Sequence, residues 1–312
     1  MNTVTASVTA SATVPVIAVV GPTASGKSDL GVALAEALHG EVVNADSMQL
    51  YQGMDVGTAK LTAAERHGVP HHLLDVWPVT RTANVAEYQT LARVEADRLI
   101  ARDRPPVFVG GSGLYLRGAL DEFEFPGTDG LIRERLEAEL AEVGPFVLHQ
   151  RLKERDPQAA ETILPSNGRR VVRALEVIEL TGGRFTATLP EHTDHYPRTV
   201  HVGLDVDRPA LDERIALRVD RMWDAGFVQE VRDLEAQGLR DGLTASRALG
   251  YAQVLRFLAG ECTEEQAKEE TIRATKRFAR RQDSWFRRDP RVHWLRYDRS
   301  DLVEAALDRI GA

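Results

Sequence analysis

"VVGPTASGKSDL", residues 19–30, decides the fold. Gly21, Gly26, Lys27 and Ser28 satisfy the pattern GxxxxGK[ST]. The pattern lies between a β-branched apolar run, "VPVIAVV" (14–20), and a segment with Leu30, Ala33, Leu34, Ala37 and Leu38 at helical spacing. Strand, glycine turn and helix in that order make a phosphate-holding loop whose body is Gly21, Pro22, Thr23, Ala24, Ser25 and Gly26. Its backbone N–H groups point inward, Lys27 neutralises an outer phosphate, Ser28 offers a hydroxyl to Mg²⁺, and the helix dipole adds a favourable field. ATP or GTP is the default occupant of such a loop.

Working outward, "EVVNAD" (41–46), "PPVFVGG" (105–111), "TVHVGLDVD" (199–207) and "RVHWLRYD" (291–298) read as further strands. A helix to about Arg102 is expected to start at Asn84, with Glu87 completing a capping box. Alternating strands and helices predict a parallel α/β sheet flanked by helices, of the P-loop NTPase-like kind. Between about 120 and 197 the strand signal stops, and "LIRERLEAELAEV", "FVLHQRLKERD" and "RRVVRALEVIELTGG" read as helices. The expected organisation is a tail over 1–15, a core over 16–119 and 198–312, and a helical insertion over 120–197.

Charged residues make up 28% of the 312-residue chain and hydrophobic ones 43%, an ordinary globular balance. No run approaches the roughly 20 apolar residues of a membrane span, and "MNTVTASVTASATVP" lacks the character of a signal peptide. A lone cysteine, Cys262, excludes an internal disulfide and a cysteine-based zinc finger. A cytoplasmic monomer is the expected state. The net charge of −8 argues against a nucleic-acid partner, yet "RATKRFARRQDSWFRRDPR" (273–291) holds eight Lys/Arg against two Asp. On a helix, Arg277, Arg280, Arg281, Ser284, Arg287 and Arg288 share one side, and Phe278, Gln282 and Trp285 lie on another. A basic stripe of this kind is either an RNA-facing surface or a solvated face paired with acidic neighbours.

Two residues sharpen the chemistry. A nucleotide hydrolase usually carries a second strand ending in a metal-holding Asp, but "VFVGGSGLY" ends in Gly110 and Gly111, and Asp75 in "HHLLDVW" has a short apolar lead. Asp46 instead falls at the end of a strand expected to neighbour the phosphate loop, where open α/β sheets bind ligands. It reads as a general base or metal ligand, or as a cap on the turn before Ser47. Arg218 falls on the apolar stripe of Leu211, Ile215 and Met222, so it needs an anion to face, either an internal Asp or a ligand phosphate.

"GPTASGKS", "NADSMQLYQGMDVGTAK", "PHHLLD", "VFVGGSGLYLRG", "NGRRVVRALEV", "RVDRMWDAGFVQEV", "ALGYAQVL" and "RFARRQDSWFRR" occur in one order over most of residues 16–296. In this the chain resembles the tRNA dimethylallyltransferases, which prenylate N6 of the adenosine 3′ to the anticodon. The resemblance implies that the loop holds the diphosphate of dimethylallyl diphosphate. It implies Asp46 as the base that takes the N6 proton, with Thr23, Arg218, Lys27 and Mg²⁺ on Ser28 stabilising the leaving group. The target adenine must be flipped out of its stack, with Met48 and Gln49 beside it. Positions implied to contact tRNA are Asp46, Ser47, Met48, Gln49, Ser112, Arg133, Arg169, Arg170, Arg173, Arg247, Arg280 and Arg281, the helical insertion gripping the anticodon stem-loop; Arg173, within "VVRALEV", reads equally as one side of a structural ion pair. Ser112 stands where the family commonly has Thr, and the zinc finger of eukaryotic relatives is absent. Three other readings share parts of this pattern: prenylation of free adenine nucleotides, which has no need of Arg280 and Arg281; a small-molecule kinase; and an RNA-binding module with a relict loop.

Overall fold

The computed structural model describes residues 14–185 and 190–312. The Ser/Thr-rich stretch expected as a tail lies outside the described residues up to position 13; Val14 already packs against the core. The chain divides into two compact units, one formed by the described residues up to Glu122 with Asp194–Ala312, the other by Phe123–Thr193.

In the first unit six parallel strands form one sheet, in the order β3-β2-β4-β1-β5-β6. They are β1 (Val16–Val20), β2 (Glu41–Asn44), β3 (His71–His72), β4 (Pro106–Val109), β5 (Thr199–Asp205) and β6 (Val292–Arg296). The helices are α1 (Lys27–Ala37), α2 (Val85–Ile100), α3 (Gly113–Leu120), α7 (Arg208–Asp224), α8 (Phe227–Glu235), α9 (Tyr251–Leu258), α10 (Glu264–Phe286) and α11 (Leu302–Ile310). Every residue of β1 is buried, and its side chains alternate between two cores. Val16, Ala18 and Val20 pack with residues of α2, α3, α8 and α9, whereas Ile17 and Val19 pack with α1 and α11. A sheet covered on both faces explains the continuous apolar run in the sequence.

Two sequence expectations change. β4 lies between β1 and β2, so the strand leading to Asp46 is one place removed from the strand leading to the phosphate loop. The short β3, held by its pairing of His71 and His72 with Val42 and Val43, has too few residues to show a period. At α2 the Asn84 side chain accepts from the Ala86 N–H, but Glu87 pairs with Arg81 at 2.8 Å instead of closing a capping box.

The second unit is helical: α4 (Gly130–Arg155), α5 (Pro157–Thr162) and α6 (Gly168–Thr181). α4 breaks at Gly144 (φ 78°), followed by Pro145, which is where the sequence separates two helical runs. Leu136, Leu148, Leu152, Val171, Val172 and Leu175 fill its core. Glu176 is fully buried and accepts from Thr128 Oγ1, the Asp129 N–H, Arg133 and Arg173. Burial pushes its carboxyl up, but these donors outweigh burial and hold it below the usual range.

Where the chain leaves and re-enters the first unit, Asp121 and Asp194 form an antiparallel bridge, and the His195 N–H donates to Leu120 O at 2.7 Å. Arg291 donates to Asp121 at 2.8 Å, to Asp194 at 2.7 Å and to Asp289 at 2.7 Å. Asp121 is 1% exposed. Replacing Arg291 with Met would remove the cation shared by Asp121, Asp194 and Asp289 and leave Arg117 as the cation paired with the buried Asp121, and a loss of about 3 kcal/mol in unfolding free energy is expected. Urea titration reads this directly; an unchanged midpoint and slope would mean that the ion pairs are not what closes these two chain segments.

Candidate functional site

The carboxyl ends of β1, β2 and β4 open into one cleft of about 720 Å³, which includes open solvent. Thr23, Lys27, Ser28, Asn44, Asp46, Gln49, Thr58, Arg218, Phe278 and Gln282 are among its lining residues. The phosphate loop wraps as its glycines allow: Gly21 has φ 140° and Gly26 φ 100°, with Ala24 at φ 64° in the left-handed region. α1 starts at Lys27, so its dipole points into the cleft. Lys27 Nζ donates to Pro22 O at 2.6 Å. The loop is also held from outside, where Arg214 Nε of α7 donates to Ala24 O at 2.7 Å and Gln282 Oε1 of α10 accepts from the Thr23 N–H at 2.8 Å.

Asp46 is fixed by its own neighbours. Asn44, 3% exposed, accepts from the Asp46 N–H through Oδ1 at 2.9 Å and donates through Nδ2 to Asp46 O and Leu73 O. Asp46 Oδ1 accepts from the Met48 N–H at 2.9 Å. The residue therefore caps the turn before Ser47 and also lines the cleft. The spacing N-A-D was a legible sign of the Asn44 turn that sequence reasoning passed over.

Arg218 reaches the same cleft from α7. Its Nη2 donates to Thr58 O at 2.9 Å, so it faces a carbonyl and a ligand space, with no ion pair to an internal Asp among the described residues. The loop carrying Thr58 is held by Glu230 of α8, which accepts from the N–H groups of Asp55, Val56 and Gly57 at 2.6–3.1 Å and from the Tyr251 hydroxyl at 2.6 Å. Asp75 is engaged by Lys60 at 2.6 Å and does not line the cleft, where Asp46 is the one carboxylate. Burial pushes the Lys27 ammonium down to about 7; Arg218 acts in the same direction and Asp46 opposes both. Burial likewise lowers Arg218, against Asp46.

The remaining sequence-selected residues fall in three places. Ser47 and Met48 are half-buried beside Asp46, and the Ser112 hydroxyl accepts from the Ser47 N–H at 3.1 Å. Arg247 is exposed in the turn before α9, Arg280 and Arg281 are exposed on α10 with Arg277, and Arg288 is exposed just beyond the end of that helix. Arg280 lies 3.7 Å from Asp212, and Arg281 packs over Phe278. In the helical unit Arg169 and Arg170 are exposed, whereas Arg133 and Arg173 bind Glu176 at 2.5 and 3.0 Å. The i, i+3 spacing of Arg173 and Glu176 is a legible ion pair, whereas the Arg133 partnership was invisible in sequence because Glu176 lies 43 residues away and its burial depends on the helices packing.

For a divalent cation the cleft offers the Ser28 hydroxyl and the Asp46 carboxylate, with no cluster of three or more His, Cys, Asp or Glu among the described residues. That donor set suits Mg²⁺ shared with a diphosphate, since Mg²⁺ keeps several waters and takes one or two protein oxygens. No helix among the described residues is long and apolar enough to cross a membrane.

The parallel sheet, the loop at the N-terminus of α1 and the cations around it define a phosphate-loop α/β protein. Residues 49–289 match the family model described as IPP transferase. The chain is 73% identical over 297 residues to a tRNA dimethylallyltransferase of Thermobifida fusca (strain YX), covering 94% of this chain and 93% of that protein. It is 70% identical to the protein of the same name from Streptomyces coelicolor, covering 95% of each. A crystal structure of the tRNA isopentenylpyrophosphate transferase of Bacillus halodurans is similar at TM-score 0.71 and 39% identity, over 95% of both chains. A eukaryotic dimethylallyltransferase acting on tRNA is similar at TM-score 0.82 and 25% identity, over 94% of this chain and 78% of that one. The chain belongs to the IPP transferase family.

With Lys27 near 7, the free protein at about pH 8 holds this side chain largely neutral, whereas a bound diphosphate favours the ammonium. Binding of inorganic pyrophosphate at about pH 8 is therefore expected to take up more protons than binding to the Lys27→Arg variant, whose guanidinium is already charged. The difference should close at about pH 6, where Lys27 is already protonated. Calorimetry in buffers of different ionisation enthalpy measures it, and equal uptake at the higher pH would show that Lys27 enters the complex without a change of charge.

Proposed function

We propose that this chain transfers the dimethylallyl group of dimethylallyl diphosphate to N6 of the tRNA adenosine on the 3′ side of the anticodon, releasing diphosphate. The observation that carries the reading is the composition of one cleft: a phosphate loop with two cations, Lys27 and Arg218, opposite a single carboxylate, Asp46. The similar proteins, described as transferring a dimethylallyl or isopentenyl group to tRNA, add the substrates.

In this reading the adenine amine attacks the allylic carbon while the bond from that carbon to the diphosphate oxygen breaks. The amine is a poor nucleophile because its lone pair is delocalised into the ring, and Asp46 takes the proton it sheds as the new C–N bond forms. Negative charge gathers on the departing diphosphate, where the loop N–H groups, Lys27, Arg218 and Thr23 receive it without reorganising. Mg²⁺ held by Ser28 and the diphosphate oxygens would neutralise part of that charge. An adenine stacked in a loop cannot reach Asp46, so the base is extruded, with Met48 and Gln49 beside it.

RNA is held mainly through its backbone. Arg247, Arg280 and Arg281 in the first unit and Arg169 and Arg170 in the helical unit present exposed guanidinium groups for phosphates. Arg133 and Arg173 share Glu176, so their part is to shape the helical surface and to offer the N–H groups that Glu176 leaves free. In the first unit, Ser112 supports the base side through Ser47.

The reading is tested by incubating the protein with unmodified tRNA, Mg²⁺ and labelled dimethylallyl diphosphate, beside a tube with AMP in place of tRNA. Label is expected in tRNA alone; label in AMP would favour prenylation of free nucleotides, and label in neither would remove the prenyl-transfer reading. Asp46→Ala is expected to lower kcat by about 10²–10⁴-fold with tRNA affinity kept, and near-parental turnover would take the proton-acceptor role from Asp46. Arg280→Ala combined with Arg281→Ala is expected to weaken tRNA binding and to flatten its dependence on salt concentration. An unchanged slope would mean that these arginines meet no phosphate.

A further inference from the structure

The proposed reaction needs the leaving diphosphate and the proton acceptor at a fixed separation, and their loops follow strands that are not adjacent: β1 leads to the phosphate loop and β2 to Asp46. Two side chains, Gln282 and Ser112, bridge them by way of the loop that follows β4. Gln282 of α10 is 5% exposed and has both ends of its amide engaged. Oε1 accepts from the Thr23 N–H at 2.8 Å, and Nε2 donates to Gly111 O at 2.9 Å. The next residue, Ser112, occupies the N-cap position of α3, where serine ordinarily accepts from its own helix. Its hydroxyl is instead turned to the neighbouring loop, accepting from the Ser47 N–H and donating to Ser47 Oγ, both at 3.1 Å. Ser47 follows Asp46 directly. A line of hydrogen bonds thus runs from Thr23 through Gln282, Gly111, Ser112 and Ser47 to the residue beside the carboxylate.

The glycines at the end of β4 exist for this contact. A Cβ at Gly111 would lie 2.2 Å from Gln282 Nε2, one at Gly113 2.1 Å from Trp285 Nε1, and one at Gly110 2.3 Å from the Ala45 carbonyl. The position where a nucleotide hydrolase carries its second acidic group is taken up here by close approach of α10 and of the Asp46 loop.

We infer that Gln282 is a positioning residue that sets the distance between the diphosphate side and the base side of the cleft, acting through Thr23 at one end and through Gly111, Ser112 and Ser47 at the other. The inference rests on the proposed transfer reaction. Gln282→Met keeps the side-chain length and removes both hydrogen bonds, leaving the Thr23 N–H and Gly111 O to move independently. A misplacement of about 1 Å between reacting groups costs up to about 10²-fold in rate. Steady-state kinetics with tRNA and dimethylallyl diphosphate are therefore expected to show kcat reduced by about 10- to 100-fold, with KM for tRNA changed by less than about threefold. Ser112→Ala is expected to lower kcat in the same way, and Ser112→Thr, which restores the hydroxyl, to return it towards the parent.

Because both residues act through one line of bonds, the double variant Gln282→Met with Ser112→Ala is expected to lose no more than the worse single variant. An unaltered kcat in Gln282→Met, a defect confined to KM for tRNA, or losses that multiply in the double variant would each overturn the inference. If Gln282→Met does not fold, as judged by thermal unfolding, the Ser112→Ala and Ser112→Thr pair decides: equal kcat values in the two overturn it. The unmodified chain is assayed alongside; a parent that transfers nothing overturns the proposed function and this inference with it, whereas an active parent with an equally active Gln282→Met variant overturns the inference alone.

Discussion

Two cations in one cleft set the terms for the rest of the first unit. Burial disfavours the charge on both Lys27 and Arg218, and Arg218 further disfavours the Lys27 ammonium, which falls to about 7. Asp46 offsets part of this but is one charge against two. The arrangement persists because each group is held through the backbone: Lys27 on Pro22 O, Arg218 on Thr58 O, and the Thr58 loop on Glu230. A cleft built this way has its strongest affinity for a ligand carrying more than one negative charge, and a diphosphate satisfies both cations at once.

In the proposed function, the same ligand would require the carboxylate to be fixed firmly. A bound diphosphate repels Asp46, and a side chain free to turn away would do so. Asn44 holds the Asp46 backbone from both sides, and the Met48 N–H holds the carboxylate itself. Fixing each loop separately still leaves their spacing free, because β4 separates the strands that feed them. Contacts between the loops must come from outside the sheet, and α10 supplies them. The helix that presents Arg280 and Arg281 to solvent turns Gln282 inward on to the phosphate loop. In the proposed function, RNA docking on the outer face and diphosphate binding on the inner one would share this one helix.

How much of this could be read in sequence follows from how local each signal is. The phosphate loop and the long buried strands are written within a few residues and emerge as expected, and Asn84 caps its helix without the Glu87 half of the predicted box. The order of the strands is not local: "EVVNAD" says that Asp46 ends a strand, but only pairing of Val42 and Val43 with Val107 and Phe108 shows which strand lies beside it. β3 is shorter than one repeat of any pattern. Gly110 and Gly111 were visible as a missing Asp, yet their meaning depends on Gln282, 171 residues further on. Arg218 was legible as a charge on an apolar stripe; that it faces Thr58 O and the cleft was not.

The basic residues show a further limit of reading charge from sequence. Arg287 lies in the basic stripe, but it is bound to Asp205 and Asp283 and packs on Trp294. Arg133 and Arg173 converge on one buried glutamate, and separating either from Glu176 would remove one of its two cationic donors, leaving the other arginine, the Thr128 hydroxyl and the Asp129 N–H to hold the carboxylate. Phosphates compete poorly for guanidinium groups already committed in this way, whereas Arg277, Arg281 and Arg288 are exposed and have no acidic partner within ion-pair distance among the described residues. A chain with a net charge of −8 can therefore attract a polyanion only through a local surface. The salt dependence of binding reports the cations that meet phosphate and release counterions, a smaller set than the arginines counted in the sequence.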